Sequence, residues 1–186
     1  MSTDTAVLIQ DALELGAAHA AISDTATIIF DETYRAACEK NRCGSYNTSW
    51  MGPPAVGPIS ECKKKVLEFK QGLLFQTIHA HESTSTFDYK AMVEGGKLHD
   101  QTFRKILAMM RTKHRFSRIF PLNAGCCHVC QRCAYLDEEP CRLPDQAVAS
   151  VEAFGIDVMR MEVAAGIPYY NGKGTYSFVG LILFEE

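Results

Sequence analysis

The sequence predicts an α/β domain, with α+β as the variant: helices packed on a mixed sheet of about four strands, carrying a cysteine-rich metal loop. Three observations predict it. Strand-like and helix-like segments alternate along the chain, the pattern left by helices laid on a sheet. The last apolar stretch, TYSFVGLILF over residues 175–184, is apolar at successive positions, as a central strand covered on both faces must be. No repeat, low-complexity tract or long linker divides the 186 residues, so one domain over 1–186 is expected.

The elements follow in order. Residues 7–15 read as a helix stopped by Gly16, and residues 20–30 as extended, with β-branched Thr25, Thr27, Ile28 and Ile29 and a break near Ser23 and Asp24. A short helix is expected over 33–39, then a loop over 41–57 rich in Gly, Pro, Ser and Asn. Pro58 opens a helix to about residue 69 with Ile59, Cys62, Val66 and Phe69 on one face. Residues 72–79 are strand-like. The clearest helix spans 97–113, with Phe103, Ile106, Leu107 and Met110 as its apolar stripe, and a strand over 117–122 feeds the cysteine loop. Two short helices are expected over 145–154 and 157–165, ended by Gly155 and by Gly166 with Pro168, before the final strand. Strand order is not written in local patterns of this kind.

Composition narrows the function. A net charge of −3 and a pI of about 6.1 give no basis for binding nucleic acid or an anionic membrane. The longest strongly apolar run, 178–184, is too short to cross a bilayer. The opening MSTDTAVLIQDALELG is acidic and amphipathic, without the basic and apolar regions of a secretion signal, so a cytoplasmic protein is expected. Eight cysteines are many for that compartment, where disulfides rarely persist, and five of them fall between Cys126 and Cys141. Metal or redox chemistry is the natural reading.

Cys127, Cys130 and Cys133 form Cys-x2-Cys-x2-Cys, and Cys141 follows. This spacing lets the chain curl so that three thiolates reach three corners of an iron–sulfur cube, with Cys141 at the fourth and Pro140 and Pro144 stiffening its approach. The first three match the bacterial ferredoxin spacing; the fourth does not, so this is not the two-cluster run. A [4Fe–4S] cluster on Cys127, Cys130, Cys133 and Cys141 is therefore expected, with zinc as the alternative, although structural zinc more often draws on two separated pairs. Cys126, Cys130 and Cys133 also fit the Cys-x3-Cys-x2-Cys of radical S-adenosylmethionine enzymes. That motif belongs early in a long barrel and leaves one iron open, whereas here it falls late and Cys141 closes the fourth position. Arg132 and Arg142 flank the ligands, where each either tunes a cluster's potential or is a solvated loop charge.

Cys38 and Cys43 precede Gly44-Ser45-Tyr46-Asn47-Thr48-Ser49-Trp50-Met51-Gly52-Pro53-Pro54. With Cys127…Cys130…Cys133…Cys141-Arg142 and the stretch from Ser150 to Val158, this block resembles the DUF2284 family of predicted metal-binding proteins over nearly the whole chain. The resemblance implies a cytoplasmic protein of largely anaerobic bacteria and archaea that binds metal, an iron–sulfur cluster being the expected form, and it brings no established reaction. The family pattern has a cysteine just before the Pro-Pro pair, where this chain has Gly52. If Cys38, Cys43 and that position form a second metal site in relatives, here it has lost a ligand, and an under-coordinated site would be labile or open to substrate. Cys62 lies on the apolar stripe of its helix and reads as core.

The remaining candidates are weaker. His79 and His81, two apart on a strand end, either share a metal or start a surface loop. His128 either tunes the cluster or faces solvent. Arg104, Lys105, Arg111, Lys113, His114, Arg115 and Arg118 form a solvated face or a docking patch for an acidic redox partner. Asn171-Gly172-Lys173-Gly174 lacks P-loop spacing and reads as a turn. Trp50 and Tyr46 read as cover for the metal-rich region. The first expectation is thus an iron–sulfur protein exchanging electrons with a partner enzyme. The rivals are a zinc-shaped structural or regulatory module, and an enzyme with substrate at the Cys38/Cys43 region.

Overall fold

In the computed structural model, which describes residues 4–81, 88–114 and 116–186, the alternation of elements resolves into five strands and five α-helices. Helix α1 (Thr5–Glu14) begins where the Asp4 carboxylate accepts the Ala6 N–H, and it buries Leu8 and Ala12. Strand β1 (His19–Asp24) pairs antiparallel with β2 (Gln71–Ala80), joined through α2 (Glu32–Glu39), the 41–57 loop and α3 (Ile59–Leu67). Helix α4 (Tyr89–Lys113) precedes β3 (Arg118–Asn123). The two-residue β4 (Ala149–Ser150), α5 (Val158–Ala164) and β5 (Thr175–Glu185) complete the chain.

The sheet is open and mixed, in the order β1-β2-β5-β3-β4. β5 runs antiparallel to β2 on one side and to β3 on the other, and β4 lies parallel to the end of β3. Alternation along the two central strands divides the core. Leu73, Phe75, Ile182 and Phe184 face Leu8, Phe103, Ile106 and Met110 of α1 and α4. Leu74, Leu181 and Leu183 face Cys62 and Val66 of α3, Phe154 and Met161. The expectation of a strand buried on both faces is met by β5.

Three sequence expectations are corrected. The 97–113 helix starts at Tyr89, capped by the Asp88 carboxylate, which accepts the Ala91 N–H. Strand β1 ends at Asp24, at the expected break, but the stretch after it is a 3₁₀ turn over Thr25–Thr27 instead of extended chain, with Phe30 returning as a single bridge to Ile156. The helix expected over 145–154 is absent; that stretch holds a turn, β4, and a second turn through Phe154. Here Val148, Ala149, Val151 and Phe154 are all buried, so partners in the sheet and core override the local helical pattern. β4 is the fifth strand of a sheet expected to have about four.

Two buried polar groups sit on opposite faces of β2. His99 Nδ1 lies 2.8 Å from Thr77 Oγ1, and burial lowers the His99 pKa to about 4, with His79 nearby adding to the effect. Glu162 Oε1 accepts from Gln76 Nε2 at 2.6 Å, and burial raises its pKa to about 7. Among the described residues, no helix is long and apolar enough to cross a membrane.

Candidate metal centre

The cysteine loop begins where β3 ends. Asn123 closes the strand, and Gly125, in the left-handed region at φ +69°, turns the chain out of the sheet. A single 3₁₀ turn over Ala134–Asp137 starts at Cys133, whose carbonyl accepts the Leu136 N–H. Glu138, at φ +57°, ends it, and Glu139 N–H donates back to the Ala134 carbonyl at 3.0 Å. The chain therefore doubles back, and Arg142 Nη2 donates to the Arg132 carbonyl at 3.3 Å. The side chain of the residue after Cys141 thus meets the backbone of the residue before Cys133. Asp137 pairs with Arg132 at 2.7 Å and with Arg142 at 4.0 Å, and the Arg132 hydrogen bond holds its carboxyl below the ordinary range. Both arginines thus share one carboxylate, which reduces the positive charge they offer to a bound group.

Cys127, Cys130, Cys133 and Cys141 are free thiols, each half-buried, whereas Cys126 and His128 are exposed. Among the described residues, no three His, Cys, Asp or Glu side chains stand ready-set around an ion. The donor set nevertheless fits the metal expected there. Four unpaired thiols share one irregular loop in which Ala134 is the only buried residue between Gly125 and Gln146, so the loop has little apolar packing of its own.

A second segment clamps this loop. Trp50 Nε1 donates to the Glu139 carbonyl at 2.9 Å, and its ring meets Tyr135 edge-on at 4.9 Å between centroids. The Tyr135 hydroxyl donates to Asn47 Oδ1 at 2.6 Å. Of Trp50 and Tyr46, the expected cover, Trp50 packs on the loop through Tyr135 and Glu139. Gly52 nearby is half-buried, and a Cβ there would come no closer than 3.9 Å to the Ser45 and Ser49 carbonyls, so packing does not demand a glycine.

Cys38 lies half-buried in the last turn of α2, and Cys43 is exposed in the turn that follows, where Asn41 N–H donates to the Cys38 carbonyl and Gly44 N–H to the Asn41 carbonyl. Burial raises the Cys38 thiol pKa, Arg35 opposes it, and Cys43, Glu152 and Cys126 are all within electrostatic reach. Sequence reasoning linked neither Cys126 nor Glu152 to this pair. The doubled Cys126-Cys127 was the one available signal, since a single Cys-x2-Cys-x2-Cys set with Cys141 leaves one cysteine over. Cys62 is fully buried against the Val56 carbonyl, as expected of core.

Several of the other candidates have partners of their own. His79 contacts Thr77 through Nε2 at 3.0 Å, while His81 stacks on Tyr176, so the two take separate partners. Arg104 pairs with Asp100, Lys113 and His114 with Asp11, and Arg118 with Glu68 and Glu185. Arg115 lies outside the described residues. Residues 171–174 form the turn into β5, where Thr175 Oγ1 donates to the Gly172 carbonyl. A cavity of about 440 Å³ beside the loop is lined by Trp50, Val56, Phe120, Pro144 and Phe154, with Arg111 at its edge.

The family described as predicted metal-binding protein (DUF2284) matches residues 21–184, which take in both cysteine groups and every strand of the sheet except the first two residues of β1 and the last of β5. Compared with curated proteins and with solved structures, the chain finds no match.

Proposed function

The chain belongs to the DUF2284 family of predicted metal-binding proteins, and on that premise we propose that Cys127, Cys130, Cys133 and Cys141 hold a [4Fe–4S] cluster used for electron transfer. The observation that supports the reading is the Arg142–Arg132 hydrogen bond, a contact between the residue after Cys141 and the residue before Cys133 of the Cys-x2-Cys-x2-Cys run. With four protein thiolates the cluster would supply outer-sphere electron transfer and no open iron. The chain's own residues would bind it, and the Trp50 clamp would keep water from one side of the loop. A partner enzyme in the cytoplasm would give or take the electron.

Iron, acid-labile sulfide and zinc measured on anaerobically prepared protein test the proposal. Iron and sulfide in equal amounts, with broad visible absorbance bleached by dithionite, are expected. Colourless protein with tightly held zinc would replace the redox reading with a zinc-shaped module. Cys130→Ser should empty this site and lower the melting temperature; full metal content and an unchanged melting temperature would remove the ligand assignment.

A further inference from the structure

We propose that the groove beside Trp50, at the uncovered edge of β3 between Lys65 of α3 and Arg111 of α4, binds a small flat aromatic molecule carrying one anionic group, a carboxylate or a sulfonate.

The groove exists because β4 is short. Its two residues pair only with Leu122 and Asn123, so β3 from Arg118 to Pro121 has β5 on one side and no strand on the other. The helices α3 and α4 pack on opposite faces of the sheet, and each sends one cation to this edge, Lys65 and Arg111. Trp50 from the 41–57 loop and Pro144 and Ala147 on the return from the cysteine loop complete the lining. The space is about 440 Å³, inside the range of roughly 300–1,000 Å³ usual for small-molecule sites. A strand from another protein is a poor occupant here. Val151 N–H donates to the Asn123 carbonyl at 2.9 Å, so Asn123 turns its backbone to the β4 side, and by alternation Pro121 does the same. Proline has no N–H to offer a further strand.

The walls and the charges specify the ligand. Trp50, Phe120 and Phe154 supply ring surfaces. Phe154 is buried, whereas Trp50 and Phe120 are only half-buried, so a ligand with an apolar body covers ring surface that otherwise meets water. The two cations are uncommitted. Among the described residues no carboxylate pairs with Lys65 or Arg111, whereas the neighbouring Lys64, Arg104 and Arg118 pair with Glu61, Asp100 and Glu68. Asp145 is the only acidic residue on the lining, so two cations against one carboxylate leave the groove with an excess of positive charge. A flat aromatic body answers the rings, and one anionic group answers that excess. The proposal does not depend on what the thiols bind, because none of them lines the groove.

Trp50 is the single tryptophan of the chain and lines the groove, so its emission reports occupancy. The full chain is titrated with anilinonaphthalene sulfonate and, separately, with phenylnaphthylamine, the same ring system without the sulfonate. The sulfonate should bind saturably as one equivalent, quench Trp50, and bind more tightly than the uncharged amine. Lys65→Gln and Arg111→Gln should each weaken the sulfonate about 2–5-fold, the contribution of an exposed ion pair, and leave the amine unchanged. Lys97→Gln, at an exposed lysine of α4 that does not line the groove, should alter neither. Ala147→Phe should exclude both probes by filling the space. Sulfonate binding that leaves Trp50 emission unchanged, or that is equal in the parent chain and both charge variants, overturns the site, as does a folded Ala147→Phe chain that binds both probes normally. Should Ala147→Phe not fold, the two charge variants decide alone.

Discussion

Trp50, the single tryptophan of the chain, joins the two cysteine-bearing stretches alongside the Tyr135–Asn47 hydrogen bond. Its indole N–H holds the Glu139 carbonyl, and the chain from Glu139 leads through Pro140 to Cys141. Replacement by Phe keeps an aromatic ring near Tyr135 and deletes the donor, a change expected to cost about 0.5–1.5 kcal/mol. Trp50→Phe should therefore bind metal with unaltered stoichiometry and release it several-fold faster to a chelator, with quicker hydrogen exchange at the Glu139 amide. An unchanged release rate would show that the ring alone sets the clamp. The cysteine spacing was readable at this scale, because ligand runs of this kind are local. The anchoring of α2 to the 151–155 turn was not, because it depends on Arg35 and the Asn123–Ser150 pairing, contacts between segments far apart in sequence.

At the scale of elements, glycines mark where backbones come closest. Gly95 sits inside α4, and a Cβ there would lie 2.9 Å from Phe178 Cε2 and 3.2 Å from His79 Cβ. The Gly95-Gly96 pair is the reason local propensity places the helix start later, at about residue 97. Tertiary packing makes the same glycine the contact that lets the first turns of α4 approach β5 and β2. Gly180, in the middle of β5, is the parallel case: a Cβ would press into the Phe75 ring and stand 3.0 Å from Phe103 Cδ2. Gly180→Ala should destabilise the protein by about 1–3 kcal/mol through overpacking, read as a lower urea midpoint at unchanged slope. Wild-type stability in that variant would mean that the Phe75 ring has room to turn aside. The missed β4 follows the same physics, since two residues paired to the end of β3 carry no periodic signal of their own.

At the scale of the whole molecule, His99 and Glu162 bias stability in opposite directions with pH. His99 titrates near 6.5 unfolded and about 4 folded, so between those values the unfolded chain holds the extra proton and stability rises with pH. Glu162 titrates near 4.5 unfolded and about 7 folded, so there the folded chain holds the extra proton and stability falls as pH rises. Each effect is about 3 kcal/mol when complete. They cancel over the overlap, and the native profile should be nearly flat from about pH 4.5 to 6.5 in these two groups' contribution. Glu162→Gln should uncover a profile climbing with pH, and His99→Gln one that declines, both measured by urea unfolding of metal-free protein. Parallel, unaltered profiles in both variants would overturn the opposed pair. The alternation of helices and strands and the buried final strand were legible in sequence at this scale. The strand order β1-β2-β5-β3-β4 was not, because pairings between distant segments leave no periodic trace.

That order has a consequence for biosynthesis. β2 and β3 lie on either side of β5, which is the last of the three to leave the ribosome. Until it emerges, the nascent chain can close the β1–β2 ribbon, but β3 has no long neighbour to hold it. The strand that launches the thiol-rich segment is thus anchored only after residues 175–185 are made.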